Sequence, residues 1–124
     1  MTNRKSIIIG LVLSGLAALF LGFDALMKLV DIAPVREGMA TVGFPADLAR
    51  ILGAVLLACV ALYINARTAV LGAVLLTGYL GGAVATHARI GDPLFSHVLA
   101  PVYMGVLIWG GLYLRDDRVR ALVR

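Results

Sequence analysis

Residues 86–101, THARIGDPLFSHVLAP, place two His, an Arg, an Asp and two Pro inside a chain that is otherwise strongly apolar. The runs on either side are each about 20 residues long, enough to cross a bilayer core, so this stretch reads as the join between two membrane helices. Asp92-Pro93 pairs an N-cap residue with a proline at the first helical position, which predicts a helix starting close to Leu94. Pro101 lies inside that helix, denies the carbonyl of His97 its helical partner and predicts a kink. Ionisable residues at the edge of apolar helices are the default place to look for a site.

Composition sets the class. Of the 124 residues, 61% are hydrophobic and 15% charged, and the mean hydropathy is +0.98. Globular domains sit near 45–50% apolar and about 25% charged. The length predicts a single domain over residues 1–124. The net charge of +4 does not point to nucleic acid, because the basic residues form no stripe interleaved with aromatics; four of the eleven (Arg115, Arg118, Arg120, Arg124) follow the last apolar run. The single cysteine, Cys59, excludes an internal dithiol and reads as a small buried hydrophobe.

Outward from the join, the chain divides into four apolar spans, about 7–27, 48–64, 68–87 and 94–114. The first follows Arg4 and Lys5 and is too long for the apolar core of a signal peptide, so it is expected to be retained. Asp24, Lys28 and Asp31 are spaced by four and three, which puts them on one helix face if the helix reaches that far. Pro34, Gly38, Gly43 and Pro45 mark a connection in which Val35 to Thr41 can form a short interfacial helix. Pro45 and Asp47 open the second span, and Arg50 near its start can snorkel. Asn65 to Arg67 make a tight turn. The third span carries Gly78 and Gly82 at a spacing that lets a neighbouring helix approach closely, and Gly82→Leu is expected to destabilise; the same face could serve an oligomer contact. Trp109, Tyr113 and the terminal arginines are expected to anchor the far end in the headgroups.

The expected fold is therefore all-α, an integral membrane four-helix bundle running up-down-up-down with both termini on one side. Seven of the eleven basic residues fall on the termini side and four on the other, which predicts both termini in the cytoplasm of a multi-pass membrane protein. Asp24, Lys28, Asp31, Arg50, His87, Arg89, Asp92 and His97 then meet at the outer face, with no comparable cluster expected in the cytoplasmic half. Asp24 and His97 each sit about a turn inside an apolar run, where an ionisable group is costly, and are the candidate catalytic pair; Lys28, Arg50, His87, Arg89 and Asp92 are candidate ligand-binding residues. Asp24 is expected to pair with Lys28, with Arg50 or with a His across the bundle. Two His ten residues apart lack a tight metal-ligand spacing, so no metal site is assigned.

The four-span layout, the Gly-rich third span and the run ARIGDPLFSHVLAPVYMGVLIWGGLYLRD resemble the DoxX-like family of small bacterial membrane proteins, over roughly Gly22 to Asp116. The family takes its name from a subunit associated with thiosulfate:quinone oxidoreductase, so the resemblance implies a quinone-linked role. A lipid quinone is then the implied ligand, and a redox partner subunit or a second copy an implied partner. The chain has neither a dithiol nor an evident haem or nucleotide motif for redox chemistry of its own. Two other readings stand beside it: a non-redox isomerase or hydratase acting on an apolar small molecule through Asp24 and His97, and a non-catalytic subunit of a membrane complex.

Overall fold

The computed structural model describes residues 3–123, which form helices joined by short turns, with no strand among them. The helices are α1 (Arg4–Val30), α2 (Ala33–Thr41), α3 (Leu48–Ile64), α4 (Ala69–Arg89), a π-helical turn (Leu94–Val98), α5 (Ala100–Arg115) and α6 (Asp117–Leu122). Among the described residues, three segments are long and apolar enough to cross a membrane: Arg4–Val30, Ala69–Arg89 and Leu94–Arg115. The fourth apolar helix, α3, has 17 residues.

Helix α1 packs on α3 and α5, and α4 packs on the same two. The inward face of α1 is Gly10, Ser14, Ala17, Leu21 and Ala25, nearly all small. Its large residues point outward: Leu19 is 74% exposed and Phe23 63%. A soluble protein hides its large side chains and shows few contiguous apolar patches. Helix α1 does the reverse, which suits a lipid surround.

Small inward residues let backbones meet. A methyl group on Gly111 would fall 3.0 Å from the carbonyl oxygen of Gly10, one on Gly53 would fall 2.9 Å from that of Ala25, and one on Gly72 would fall 2.6 Å from Cα of Tyr63. These are the close crossings of α1 with α5, of α1 with α3, and of α3 with α4. Gly78 and Gly82 are not among them, since a methyl group on either would meet nothing within 4 Å. The expected contact through that pair is thus corrected: the spacing identifies a small face, and here the face borders open space.

Three further expectations change at the connections, and the expected kink takes a specific form. Helix α1 stops at Val30, and Asp31 caps it in a left-handed conformation (φ 62°) instead of extending the Asp24–Lys28 face. Asp is one of the few residues that visit this region. Asp92 does not cap the last span, since its carboxylate turns back to His87; Pro93 (ψ 130°) stays extended ahead of the π-helical turn. The kink at Pro101 takes the form of that turn, a break at Leu99 and a fresh helix start at Ala100.

At the termini end, the arginines do not simply project into headgroups. Arg120 donates to the carbonyls of Tyr113 and Leu114 and to Ser6, and Arg118 donates to the carbonyl of Ala66. Arg120 thus satisfies acceptors in the last turn of α5, and Arg118 one in the turn between α3 and α4. Trp109, also expected at the headgroups, donates its indole N–H to Thr77 of α4. Arg124 lies outside the described residues.

Two outcomes follow. Gly111→Ala should lower stability in detergent by about 1–3 kcal/mol through overpacking, while Gly82→Ala should not; an unchanged melting temperature for Gly111→Ala would show that the α1–α5 crossing relaxes freely. Asp116 begins α6, accepting from the Arg118 amide at 2.9 Å and pairing with its guanidinium at 2.8 Å. The hydrogen bond from the Arg118 side chain holds the Asp116 carboxyl below its ordinary value of 3.8. Because the folded value is the lower one, the contribution is complete above 3.8 and disappears as pH falls through the folded pKa. Asp116→Asn should therefore lower the melting temperature near neutral pH, and the gap from wild type should close on acidification.

Candidate functional site

At the end away from the termini, α1 parts from α5 and a cavity of about 780 Å³ opens between α1, α2, α4, the π-helical turn and α5. Its volume is within the range of roughly 300–1,000 Å³ seen for small-molecule sites. The walls are mostly apolar, including Phe20, Val35, Met39, Phe44 and Met104. Gly78 and Gly82 keep the α4 wall low.

Four of the candidate residues line this space: Asp24, Lys28, His87 and His97. Lys28, one turn after Asp24, donates to its carboxylate, as expected for an i,i+4 acid–base pair on a helix. The ammonium also stands 5.7 Å from the centre of the Tyr79 ring, a cation–π distance. The Lys28 side chain is 19% exposed and that of Asp24 44%, so the pair reaches from the packed interior towards the cavity mouth.

The two histidines approach from different segments. His87, near the end of α4, has Nδ1 2.5 Å from the Asp92 carboxylate. His97, on the π-helical turn, has Nδ1 2.8 Å from the Ser96 hydroxyl. The rings stand edge to face, 6.0 Å between centres. In each ring, Nδ1 is occupied and Nε2 is left for another partner.

The other three candidates do not line the cavity. Asp92 acts behind His87, fixing its ring. Arg89 donates to the carbonyl of Val42 at 2.5 Å and lies 2.9 Å from where a side chain on Gly43 would start; Gly43 also has φ 83°, so glycine is needed there twice over. Arg50 is 3.8 Å from Asp31, which also accepts from Arg36 at 2.6 Å. These contacts tie both ends of α2 down, with Met39 buried beneath it and Val35, Gly38, Met39 and Val42 roofing the cavity. The short helix expected between the first two spans is therefore a cover.

A second polar group of residues occupies the termini half, where none was expected. Tyr63, 1% exposed, has its hydroxyl 2.8 Å from both Ser14 Oγ and the Ile108 carbonyl, and Arg115 Nε donates to Ser14 at 3.1 Å. One phenol carries one proton, so the consistent order is Arg115 to Ser14, Ser14 to Tyr63, Tyr63 to the Ile108 carbonyl. The signal in the sequence was a Tyr and a Ser inside apolar runs, each with a hydroxyl that must find a partner.

The model of the DoxX-like family matches residues 12–111, from the middle of α1 to near the end of α5. The chain belongs to the DoxX-like family. The match takes in the whole cavity lining of this DoxX-like protein, from Phe20 to Met104. Neither the curated proteins nor the solved structures gave a match.

Proposed function

We propose that this DoxX-like protein is a single membrane domain that crosses the bilayer four times, up-down-up-down, with both termini in the cytoplasm, and that its cavity binds the polar head of an apolar small molecule. The reading rests on one observation: Asp24–Lys28, His87 and His97 converge on a space whose remaining walls are apolar. Sites for small organic ligands have this make-up, an apolar lining with a few placed polar groups. The seventeen residues of α3 are at the lower edge of the range that spans a bilayer, about 17–25. The outward-facing large side chains of α1 support the same placement.

A lipid quinone is the proposed occupant. Its carbonyl oxygens accept hydrogen bonds, and the cavity offers donors that suit them: the Nε2–H of His97 when Ser96 donates to its Nδ1, the hydroxyl of Tyr79, and the ammonium of Lys28. His87, whose Nδ1–H goes to Asp92, presents Nε2 as an acceptor for a hydroxyl of the reduced head group. The Asp24–Lys28 pair lies where it can pass a proton between the cavity and its mouth. Electrons would come from a partner subunit, since a lone Cys59 supplies no dithiol couple.

An isomerase or hydratase reading draws less support. Asp24 pairs with Lys28 and His97 Nδ1 with Ser96, and among the described residues no hydrogen bond joins Asp24 to His97, so the two are not coupled as one acid–base pair.

Binding is checked by difference spectra of the purified protein with a benzoquinone: a saturable signal is expected, weakened about tenfold or more when His87 and His97 are both replaced by Phe. No signal, together with no quinone in a solvent extract of the protein, would end the quinone reading. Topology is checked with single cysteines at positions 24 and 97 in a Cys59→Ala background, probed by an impermeant thiol reagent on oriented vesicles. Both should label from outside; labelling from opposite sides would dissolve the site.

A further inference from the structure

Beside the cavity lies a second hollow, a groove of about 410 Å³ between α4 and α5 on the outer surface of the helices. Its lining is apolar apart from Thr77 and Trp109: Leu80, Gly81, Val84, Pro101, Val102, Gly105 and Val106. Leu80 and Pro101 line both spaces, so the groove and the polar cavity are two sides of one thin wall. Leu80 is 7% exposed and Pro101 is buried.

The wall is thin for two reasons. On α4, the sequence Gly78-Tyr79-Leu80-Gly81-Gly82 places glycines at the cavity and at the groove with Leu80 between them. A methyl group on Gly78, Gly81, Gly82 or Gly105 would meet nothing within 4 Å. Glycine weakens a helix relative to alanine, and here the loss is not recovered by close helix contact as it is at Gly10, Gly72 and Gly111. These glycines leave room instead. On the other side, the break at Leu99 and the restart of α5 at Ala100 put Pro101, which has no amide proton, at the sill between the two spaces.

Resting on the reading of the cavity as a head-group site, we infer that its ligand is a chain-bearing amphiphile whose apolar tail leaves over Leu80 and Pro101 and lies in the α4–α5 groove. A compact polar solute would use the cavity and leave the groove to bulk lipid. From Val84 to Thr77 the groove follows α4 for about 10 Å, at roughly 1.5 Å per residue. It ends where Trp109 Nε1 bonds Thr77 Oγ1 at 2.8 Å and closes the floor. The groove therefore takes the first part of a chain and directs the rest into the bilayer. Because lipid tails are as apolar as the groove, it contributes orientation and lateral entry more than affinity.

The probe is a decyl benzoquinone carrying a photoactivatable diazirine at the chain end, used on the full protein in nanodiscs, with the ring-only benzoquinone as competitor. Adducts are expected in the segments 77–84 and 101–109, and excess ring-only compound should remove most of them, about tenfold, because head and tail are one molecule. Gly81→Leu with Gly105→Leu fills the groove without touching the cavity lining. It should abolish those adducts while ring-only binding changes less than about twofold. Adducts spread over the outward faces of α1 and α3, or groove adducts that the ring-only compound cannot displace, would mean bulk lipid partitioning and overturn the inference while leaving the head-group reading intact. Failure of both probes to bind would overturn the two together.

Discussion

Apolar side chains gain little by hiding from lipid tails, so helices in a membrane are held by close packing and by polar groups that have no other partner. Here both act at one level of the molecule. Gly10 and Gly111 bring α1 and α5 together, Gly72 brings α4 against Tyr63, and the Tyr63 hydroxyl joins Ser14 of α1 to Ile108 of α5. All four long helices are thereby fastened at the termini end. At the other end, among the glycines of the described long helices, a close crossing of backbones occurs at Gly53, between α1 and α3. The cavity is what remains where α1 and α5 diverge without a second crossing of that kind.

The segment that closes this open end is built from weaker material. Helix α2 has nine residues, too few to be stable in isolation. Its position depends on charged contacts at its two ends: Arg36 to Asp31 at the start, and Arg89 to the Val42 carbonyl at the finish. Asp31 sits at the crossing point of Arg36 and Arg50, with one carboxylate oxygen bonded and the other, Oδ1, buried without a partner. Such an atom costs stability. The cost is the expense of bringing the end of α1, the start of α3 and the cover to one point.

Much of this was legible in the sequence because hydropathy and turn chemistry act locally. The spans, the Asn65–Arg67 turn and the short helix after Pro34 follow from runs of apolar residues and from Pro and Gly placed between them. The pairing of Asp24 with Lys28 follows from a spacing of four. What was not legible depends on rotation and on distant partners. Gly78 and Gly82 carry the spacing of a packing motif, but spacing does not say which neighbour the face meets, and theirs meets a void. Tyr63 and Ser14 are 49 residues apart, and no local pattern links them. Arg115, Arg118 and Arg120 follow the positive-flank rule in composition, yet their guanidinium groups turn back to Ser14, to the Ala66 carbonyl and to the last carbonyls of α5, partners that no local pattern names.

The polar groups around the cavity are paired before any ligand arrives. Asp24 is matched by Lys28, His87 by Asp92, and His97 Nδ1 by Ser96. In a medium of low dielectric an isolated charge is far more costly than a matched one, so an anionic ligand would have to draw Lys28 away from Asp24, and a cation would have to draw Asp24 away from Lys28. A neutral head group needs neither. It can accept from the His97 imidazole and the Tyr79 hydroxyl while the Asp24–Lys28 and His87–Asp92 contacts stay intact. For the head-group site proposed above, the paired side chains therefore fit a neutral, hydrogen-bond-accepting head, the class of ligand proposed from the apolar walls and the adjoining groove.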